Sequence, residues 1–509
     1  MSSQAPHTNG VAQTVDRTSQ IEVRNPITRE FIGTVPIHGE EAIRAAVERA
    51  RAAQPAWGAR GTKERAYIIR AFGDLLWARR AEVMRMIRQE TGKTETGAWA
   101  EVYGITTEAY WLYHNTPRLL RPQRRPALLP LIQYAKIYFK PHGIVGAITP
   151  WNYPLYNGFT DLIPALAAGN SVVMKPSELS PFTAFLIVDL LHQAGVPKDV
   201  LQIVTGEGST GALLIDYVDY VAFTGSTATG RKVADRAAKR LIQYTLELGG
   251  KDPLLILEDA NLDLAAAGTL RSALENCGQA CVSTERVYVT APVYDEFLSR
   301  MQNYAQQLKL GAQEGFDIDV GSMTSERELK RVEAHVKDAV AKGAKLIYGG
   351  KRRPDLGPLF IEPPILTDVT HDMEVMREET FGPIVAIMKV KDADEAVRMA
   401  NDNEYGLSGG IYTRDLARGE RLATMLNSGD VGVNRTYAVP GSHHLPWGGR
   451  KASGVGRRGG PEGVLRYVQP QTVLVDTMIG SFPTLTLLDS LTMHVLSALR
   501  VLRRYLPFV

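Results

Sequence analysis

Cys281 stands in the run Glu275-Asn276-Cys277-Gly278-Gln279-Ala280-Cys281-Val282, behind small residues that keep the backbone around it approachable. A thiol does covalent chemistry as its thiolate, which a nearby base can generate or relay for. Upstream, Leu246-Glu247-Leu248-Gly249-Gly250 offers a carboxylate among apolar and small neighbours, a setting that raises a carboxylate's basicity. Asn152, after Pro150-Trp151, carries an amide able to donate to a developing oxyanion. The three types together suit covalent chemistry on sulfur with a base and an oxyanion donor at hand. Each also has a plainer reading: a free cysteine is commonly a small buried hydrophobe, and an asparagine at a turn is commonly an Asx-turn residue.

Such side chains need elements to hold them. Residues 143–149, 171–175, 200–204 and 220–223 are short apolar strands, separated by helical stretches at 153–168, from Ser180-Pro181 to Gly195, and at 227–240. That alternation predicts right-handed crossovers and a parallel sheet, whose ligands bind outside the carboxyl ends of the strands. Pro150-Trp151-Asn152, Lys175-Pro176-Ser177-Glu178 and Thr224-Gly225-Ser226 all fall at such ends. A second α/β unit follows Cys281, with strands at 286–290, 345–348, 384–390 and 409–412 and helices at 293–308 and 326–342. Before the first unit, residues 21–116 are mostly helical, with helices at 40–53 and two within 62–90. The Pro/Arg-rich stretch 117–130 breaks that pattern, and residues 131–139 and 464–475 are strands.

The totals exclude several classes. The chain has 509 residues, 44% hydrophobic and 22% charged, so it is an ordinary globular protein with more than one core. A net charge of +3 gives no basic field for nucleic acid. Two cysteines make no disulfide framework and suit a reducing compartment, so a cytoplasmic location is expected. Residues 1–20 are polar, without the apolar core of a secretory signal, and are expected to be a disordered lead-in. No metal-ligand spacing occurs; His443-His444 is isolated and expected at the surface. Near the chain end, Leu488, Leu491, Val495, Leu499, Leu502 and Leu506 form one helical stripe beside Arg500, Arg503 and Arg504. Two readings of this amphipathic tail stay open: a helix folded onto protein, or one lying peripherally in a membrane surface.

Other motifs are weak singly. Gly225 and Ser226 sit between a strand and a helix, where free N–H groups suit a phosphate. Lys175 and Glu178 could bracket ribose hydroxyls, and Glu379-Thr380-Phe381-Gly382-Pro383 puts a carboxylate and a ring before a rigid turn. Their order and joint presence, with Trp447-Gly448-Gly449-Arg450-Lys451-Ala452-Ser453-Gly454, resemble the aldehyde dehydrogenase superfamily from about Ile21 to Asp476.

That resemblance implies an α/β protein with a Rossmann-like NAD-binding domain, a second α/β catalytic domain and a β-ribbon oligomerisation element. Its division would be residues 21–119 and 142–249, 250–449, and 120–141 with 450–476, leaving 1–20 as lead and 477–509 as tail. It implies a homodimer or homotetramer that oxidises a small-molecule aldehyde through a thiohemiacetal and a thioester on Cys281. Asn152 and the Cys281 N–H would hold the oxyanion, and Glu247 would activate the hydrolytic water. Ile148, Thr149, Pro150, Trp151, Leu248 and Gly249 would line the cofactor site. Lys175 and Glu178 would meet the adenine ribose, Ser226 the pyrophosphate, Glu379 the nicotinamide ribose, and Phe381 the nicotinamide side, with Gly225 leaving space. Glu178 favours NAD, with NADP as the alternative.

Two departures stand out. Many members carry a glutamate, suggested as a proton-relay partner, where this chain has Arg458 in Gly456-Arg457-Arg458. Members specific for succinate semialdehyde carry basic residues after Trp-Asn-Tyr-Pro-Leu; here Tyr156, Asn157, Phe159 and Asp161 stand there. Their absence predicts an uncharged medium-chain, long-chain or aromatic aldehyde. The context Val282-Ser283-Thr284-Glu285-Arg286-Val287 points instead to succinate-semialdehyde-type relatives, with Arg286 or Arg435 as sources of a cation. A catalytically silent structural member would lack nucleophile or base, and CoA-acylating relatives lack the glutamate that Glu247 matches.

Overall fold

A computed structural model describes residues 20–127, 133–437 and 442–477, and isolated positions between 493 and 504. The expected tail stripe and lead-in therefore fall mainly outside the described residues.

The chain enters as an antiparallel hairpin, Gln20–Arg24 against Phe31–Pro36, where helix was expected. Asn25-Pro26 turns it, and alternation buries Val23 and Val35. Four helices follow: Glu40–Ala59, Thr62–Ala78, Arg80–Thr91 and Glu95–Leu119. The last runs past Pro117, which sits near its C-terminal end instead of breaking it. Gly73 lets the second and fourth pack closely, since a Cβ there would lie 3.0 Å from the Ala109 methyl.

A six-stranded sheet has the order Gly454–Val455, Gln243–Glu247, Tyr220–Thr224, Ile144–Ile148, Ser171–Lys175, Leu201–Ile203, all parallel except the first. Its central strands are buried along their full length, as apolar strands covered by helices on both faces must be. The chain builds outward from Ile144–Ile148 in one direction, then returns to its other side at Tyr220–Thr224. That reversal opens a crevice at the carboxyl ends of these two strands.

A seven-stranded sheet runs Lys345–Tyr348, Ile365–Thr367, Val385–Val390, Thr284–Thr290, Asp252–Ile256, Gly410–Tyr412, Gly432–Val433. Only Lys345–Tyr348 is antiparallel. Sequence patterning missed Asp252–Ile256 and the helix Leu262–Leu274, which leads directly to the cysteine segment. A third, antiparallel sheet joins Val468–Asp476, Gln133–Pro141 and Gln123–Arg125. The strand expected from 464 starts later, because Gly460–Leu465 is a short helix with Pro461 in its first turn. Gly454–Val455, expected with this ribbon, instead pairs with Gln243–Glu247. Among the described residues, no helix is long and apolar enough to cross a membrane, and no His/Cys/Asp/Glu group could hold a metal ion.

Candidate active site

The segment between the helix Leu262–Leu274 and the strand Thr284–Thr290 turns through three successive residues with positive φ: Asn276 at 52°, Cys277 at 56° and Gly278 at 69°. A Cβ on Gly278 would overlap the Gly382 carbonyl, so only glycine fits. The strained turn is held by side-chain amides. Asn276 Nδ2 donates to the Asn152 carbonyl at 2.9 Å and to the Gln279 carbonyl at 3.1 Å. Gln279 Nε2 donates to the Asn276 carbonyl at 3.0 Å, while Gln279 Oε1 accepts from the Thr324 N–H at 2.9 Å. This turn delivers Cys281, half-buried, to the wall of a cavity. Cys277 is 1% exposed within the core of the second sheet, and burial pushes its thiol up to about 12. The plainer reading of a free cysteine thus fits Cys277.

Asn152 is anchored from both sides. Its backbone carbonyl accepts from Lys93 Nζ at 2.8 Å, and Lys93 is in turn buried in an ion pair with Glu101. Glu101 also accepts from the Leu155 and Tyr156 N–H groups at 3.0 and 2.9 Å, tying down the turn that follows. The Asn152 side-chain amide gives one N–H to the Gln279 carbonyl at 3.0 Å. Its second N–H remains as a donor.

Glu247 ends the strand Gln243–Glu247 with both carboxylate oxygens buried and without a hydrogen-bond partner. Burial raises it to about 7, against the opposing positive charges of Arg458 and Arg466. The Cys281 thiol is pushed well above its ordinary range by burial, then by the carboxylates of Glu379, Glu247 and Asp252. A positive charge brought close would work the other way and favour the thiolate.

The cavity has a volume of about 640 Å³ and collects the ends of several strands. Ile148, Thr149, Pro150 and Trp151 come from the central strand, Lys175, Ser177 and Glu178 from its neighbour, and Gly225 and Ser226 from the third. Leu248 and Gly249 continue from Glu247, and Glu379 and Phe381 close the far side. All of these were legible in the sequence; Glu247 alone of the expected residues stands behind the wall. Lys175 and Glu178 pair at 3.5 Å, the lysine buried and the glutamate half-exposed. Ser226 caps the helix Thr227–Lys239, its Oγ accepting from the Thr229 N–H at 3.3 Å. Glu379 accepts from the Gly250 N–H at 2.9 Å, and burial first, then Glu285, raises its carboxyl to about 8. A Cβ at Gly249 would lie 2.7 Å from Glu379 Oε2. A dinucleotide fits this donor set: an ammonium and carboxylate for one ribose, a helix N-terminus for the pyrophosphate, a carboxylate and ring at the thiol end.

Several residues that matter here escaped sequence reasoning. Lys232, Arg236, Arg327 and Arg331 also line the cavity, although their periodicity is that of solvated helix faces. Glu285, whose side chain pairs with Lys251, accepts from the Thr380 and Phe381 N–H groups at 2.8 and 3.1 Å. It thereby fixes the loop that carries Glu379, including Phe381 at φ 56°. Two expectations need correction, and one gains an addition. Arg286 is no substrate cation: it is buried and donates to the Lys251 and Ala400 carbonyls at 2.8 and 3.0 Å. His443 is half-buried, 2.7 Å from Thr107 Oγ1, because the turn around it folds back onto the Glu95–Leu119 helix. And although the helix Tyr156–Ala167 has no cation of its own, the fold brings Arg458 and Arg466 to Asp161.

Comparison with known proteins agrees with this geometry. The family model for the aldehyde dehydrogenase family matches residues 14–473. The chain is 43% identical over 479 residues to a putative succinate-semialdehyde dehydrogenase [NADP(+)] 2 of Mycobacterium ulcerans, covering 92% of each chain. Among solved structures it resembles an NAD-dependent aldehyde dehydrogenase from Sinorhizobium meliloti, with TM-score 0.88, 32% identity, and 92% and 93% of the two chains covered. It also resembles a betaine aldehyde dehydrogenase from Staphylococcus aureus in complex with NAD+, with TM-score 0.87, 32% identity, and 91% and 93% covered.

Proposed function

The chain belongs to the aldehyde dehydrogenase family and is an NAD(P)-dependent oxidoreductase of aldehydes; from that premise we propose that Cys281 is its nucleophile, Asn152 its oxyanion donor and Glu247 its general base. The observation that carries the assignment is the convergence of Cys281 and the Asn152 amide on one cavity, with an unpaired carboxylate just behind it.

In this reading Cys281 Sγ, as thiolate, bonds to the aldehyde carbon. The carbonyl oxygen becomes an oxyanion that accepts from Asn152 Nδ2 and from the Cys281 N–H. When bound, the oxidised nicotinamide supplies a two-electron acceptor. Lys175 and Glu178, the helix end at Ser226, and Glu379 are the residues that would hold the dinucleotide. The tetrahedral carbon gives up its hydrogen with the bonding pair and collapses to a thioester on Sγ. Glu247 then takes a proton from water as the water oxygen bonds to the acyl carbon, and cleavage of the C–S bond frees the carboxylic acid. Cys281→Ala should lose dehydrogenase and esterase turnover together while still binding NAD. Full turnover in that variant would rule the assignment out.

For the substrate, we favour an uncharged medium-chain, long-chain or aromatic aldehyde. Glu275, on the same turn as Cys281, accepts from the Tyr437 and Tyr153 hydroxyls at 2.8 and 3.4 Å. None of these three lines the cofactor cavity, and Cys281 acts on Tyr153 from close by, which supports assigning them to the aldehyde side of the thiol. A fixed carboxylate there disfavours an aldehyde that itself carries one. Arg271 and Arg435 act on Tyr437 from close by and oppose that field in part. The second reading, succinate semialdehyde, is favoured by the name of the mycobacterial relative. NADH formation across hexanal, benzaldehyde and succinate semialdehyde decides between them.

The exposed edge strand Val468–Asp476, with Val473 and Leu474 outward, supports an oligomerisation role for the three-stranded ribbon. The two larger sheets then form the cofactor-binding and catalytic domains. For the tail, the basic amphipathic pattern supports peripheral contact with a membrane surface.

A further inference from the structure

Arg458 occupies a position that the reaction as described does not use. It is 1% exposed and belongs to a short antiparallel bridge with Trp447, the two residues exchanging backbone hydrogen bonds at 2.7 and 2.8 Å. Its guanidinium is spread over fixed acceptors. Nε donates to Asp161 Oδ1 at 3.0 Å, Nη1 to Asn157 Oδ1 at 3.3 Å, and Nη2 to both Asp161 Oδ2 and Thr224 Oγ1. Thr224 is the strand partner of Glu247 in the parallel pair Tyr220–Thr224 and Gln243–Glu247, so the two side chains emerge side by side on one face. From the other side, Trp447, whose ring faces the Arg458 guanidinium at 5.2 Å, precedes Gly448. A Cβ on Gly448 would lie 2.8 Å from Glu247 Oε1. The same turn therefore touches the arginine and the carboxylate.

We propose that Arg458 is a positioning residue for the hydrolytic half-reaction: a positive charge fixed beside Glu247 that keeps this buried, unpaired carboxylate in its basic form while water attacks the thioester. The inference rests on the assignment of Glu247 as general base. It gives the arginine a role different from proton relay, which a guanidinium cannot perform at working pH because it does not give up its proton.

The charges around Glu247 support this. Arg458 and Arg466 both pair with Asp161, so two guanidiniums face a single aspartate and one positive charge is left over. Arg457 adds a further positive influence from the same loop, and Asp161 an opposing one. Glu108, close to Asp161 and buried, is raised to about 8 by burial, above the value of about 7 for Glu247, so of the two Glu247 more readily takes the negative charge. Ionised Glu247 is what balances the cluster. In the step itself, a water proton passes to Glu247, the water oxygen bonds to the acyl carbon, and Cys281 Sγ leaves with the electron pair of the broken C–S bond. No oxidant or further reactant is needed.

The test is the pH dependence of thioester hydrolysis in the full-length enzyme with NAD and hexanal, read as kcat and as the pre-steady-state burst of NADH. Arg458→Gln should move the acid limb of kcat upward by about one pH unit or more, the usual effect of removing a close opposite charge. It should also produce or enlarge a burst at pH 7, while Arg458→Lys, which keeps the charge, restores most of the profile. Asp161→Asn removes the opposing charge and should move the same limb downward. Acid limbs unmoved in both Arg458→Gln and Asp161→Asn would overturn the proposal, as would movement of both in one direction. If Arg458→Gln does not fold, Asp161→Asn decides alone: a downward move supports the proposal and any other result overturns it. Failure of the underlying assignment would look different, as undiminished hydrolysis in Glu247→Gln.

Discussion

At the scale of single residues, burial decides which of two chemically identical groups can act. Cys277 and Cys281 stand four positions apart, yet one is enclosed in the core and the other opens onto the cavity. Cys277→Ser should therefore keep activity, with a small loss of thermal stability, whereas Cys281→Ala removes it; steady-state assays and a melting curve check both. Asn152→Ala should lower kcat roughly a hundredfold or more, the usual cost of one oxyanion donor. With Glu247 as the proposed general base, the expected pH dependence follows from its carboxyl being raised to about 7 mainly by burial. Below that value the carboxyl is protonated and cannot accept a proton from water. Hydrolysis of the thioester should thus rise between about pH 6 and 8 and then level off. A rate flat across that range in thioester-hydrolysis-limited turnover would contradict it.

At the scale of elements, the site depends on loops held by buried ion pairs distant from the chemistry. Glu285 lies on the strand Thr284–Thr290 but holds the turn after Glu379, while its charge is matched by Lys251. Glu285→Gln leaves Lys251 buried without its counter-charge. Breaking a buried pair from one side costs about 3 kcal/mol or more, so the melting temperature should fall clearly. Because the Glu379 loop loosens as well, the Kd for NAD should weaken, while esterase activity of Cys281 is largely kept. Equal loss of both would mean that the loop serves the thiol as much as the cofactor. The pair Lys93–Glu101 plays the corresponding part for Asn152: Lys93 donates to its carbonyl from the loop before the helix Glu95–Leu119, which carries Glu101.

At the scale of the whole molecule, two sheets meet over one cavity and a third projects an open edge. Leu474 on that edge is 55% exposed, so Leu474→Asp should shift the oligomer toward smaller species by size-exclusion chromatography with light scattering. The melting temperature of the individual fold should change little. Removal of residues 477–509 should abolish co-sedimentation with anionic liposomes and reduce turnover of long-chain aldehydes while sparing short ones. Loss of the oligomer on the same truncation, with no liposome binding by the full chain, would make the tail structural.

The sequence alone determined the parallel sheet and the motifs that line the cavity at its carboxyl ends. Buried strands such as Ser171–Lys175 are short apolar runs bounded by turns, and motifs at strand ends are local in the chain. Local pattern also misled: the opening hairpin was hidden by the helices after it, and Pro117 falls near a helix end that it does not break. What only the tertiary structure decided are the pairings across long stretches of chain. Arg457-Arg458 looked merely like the loss of a glutamate. Its partners Asp161 and Thr224 lie far away in sequence, and nothing in a run of residues specifies which buried charge will meet which. The same holds for Glu285, whose surroundings suggested a substrate class but whose contacts are those of a brace. Apolar periodicity is written in neighbours because burial acts on whole faces of helices and strands. Charge pairing is settled between elements, where a desolvated group must find its partner wherever the fold brings one.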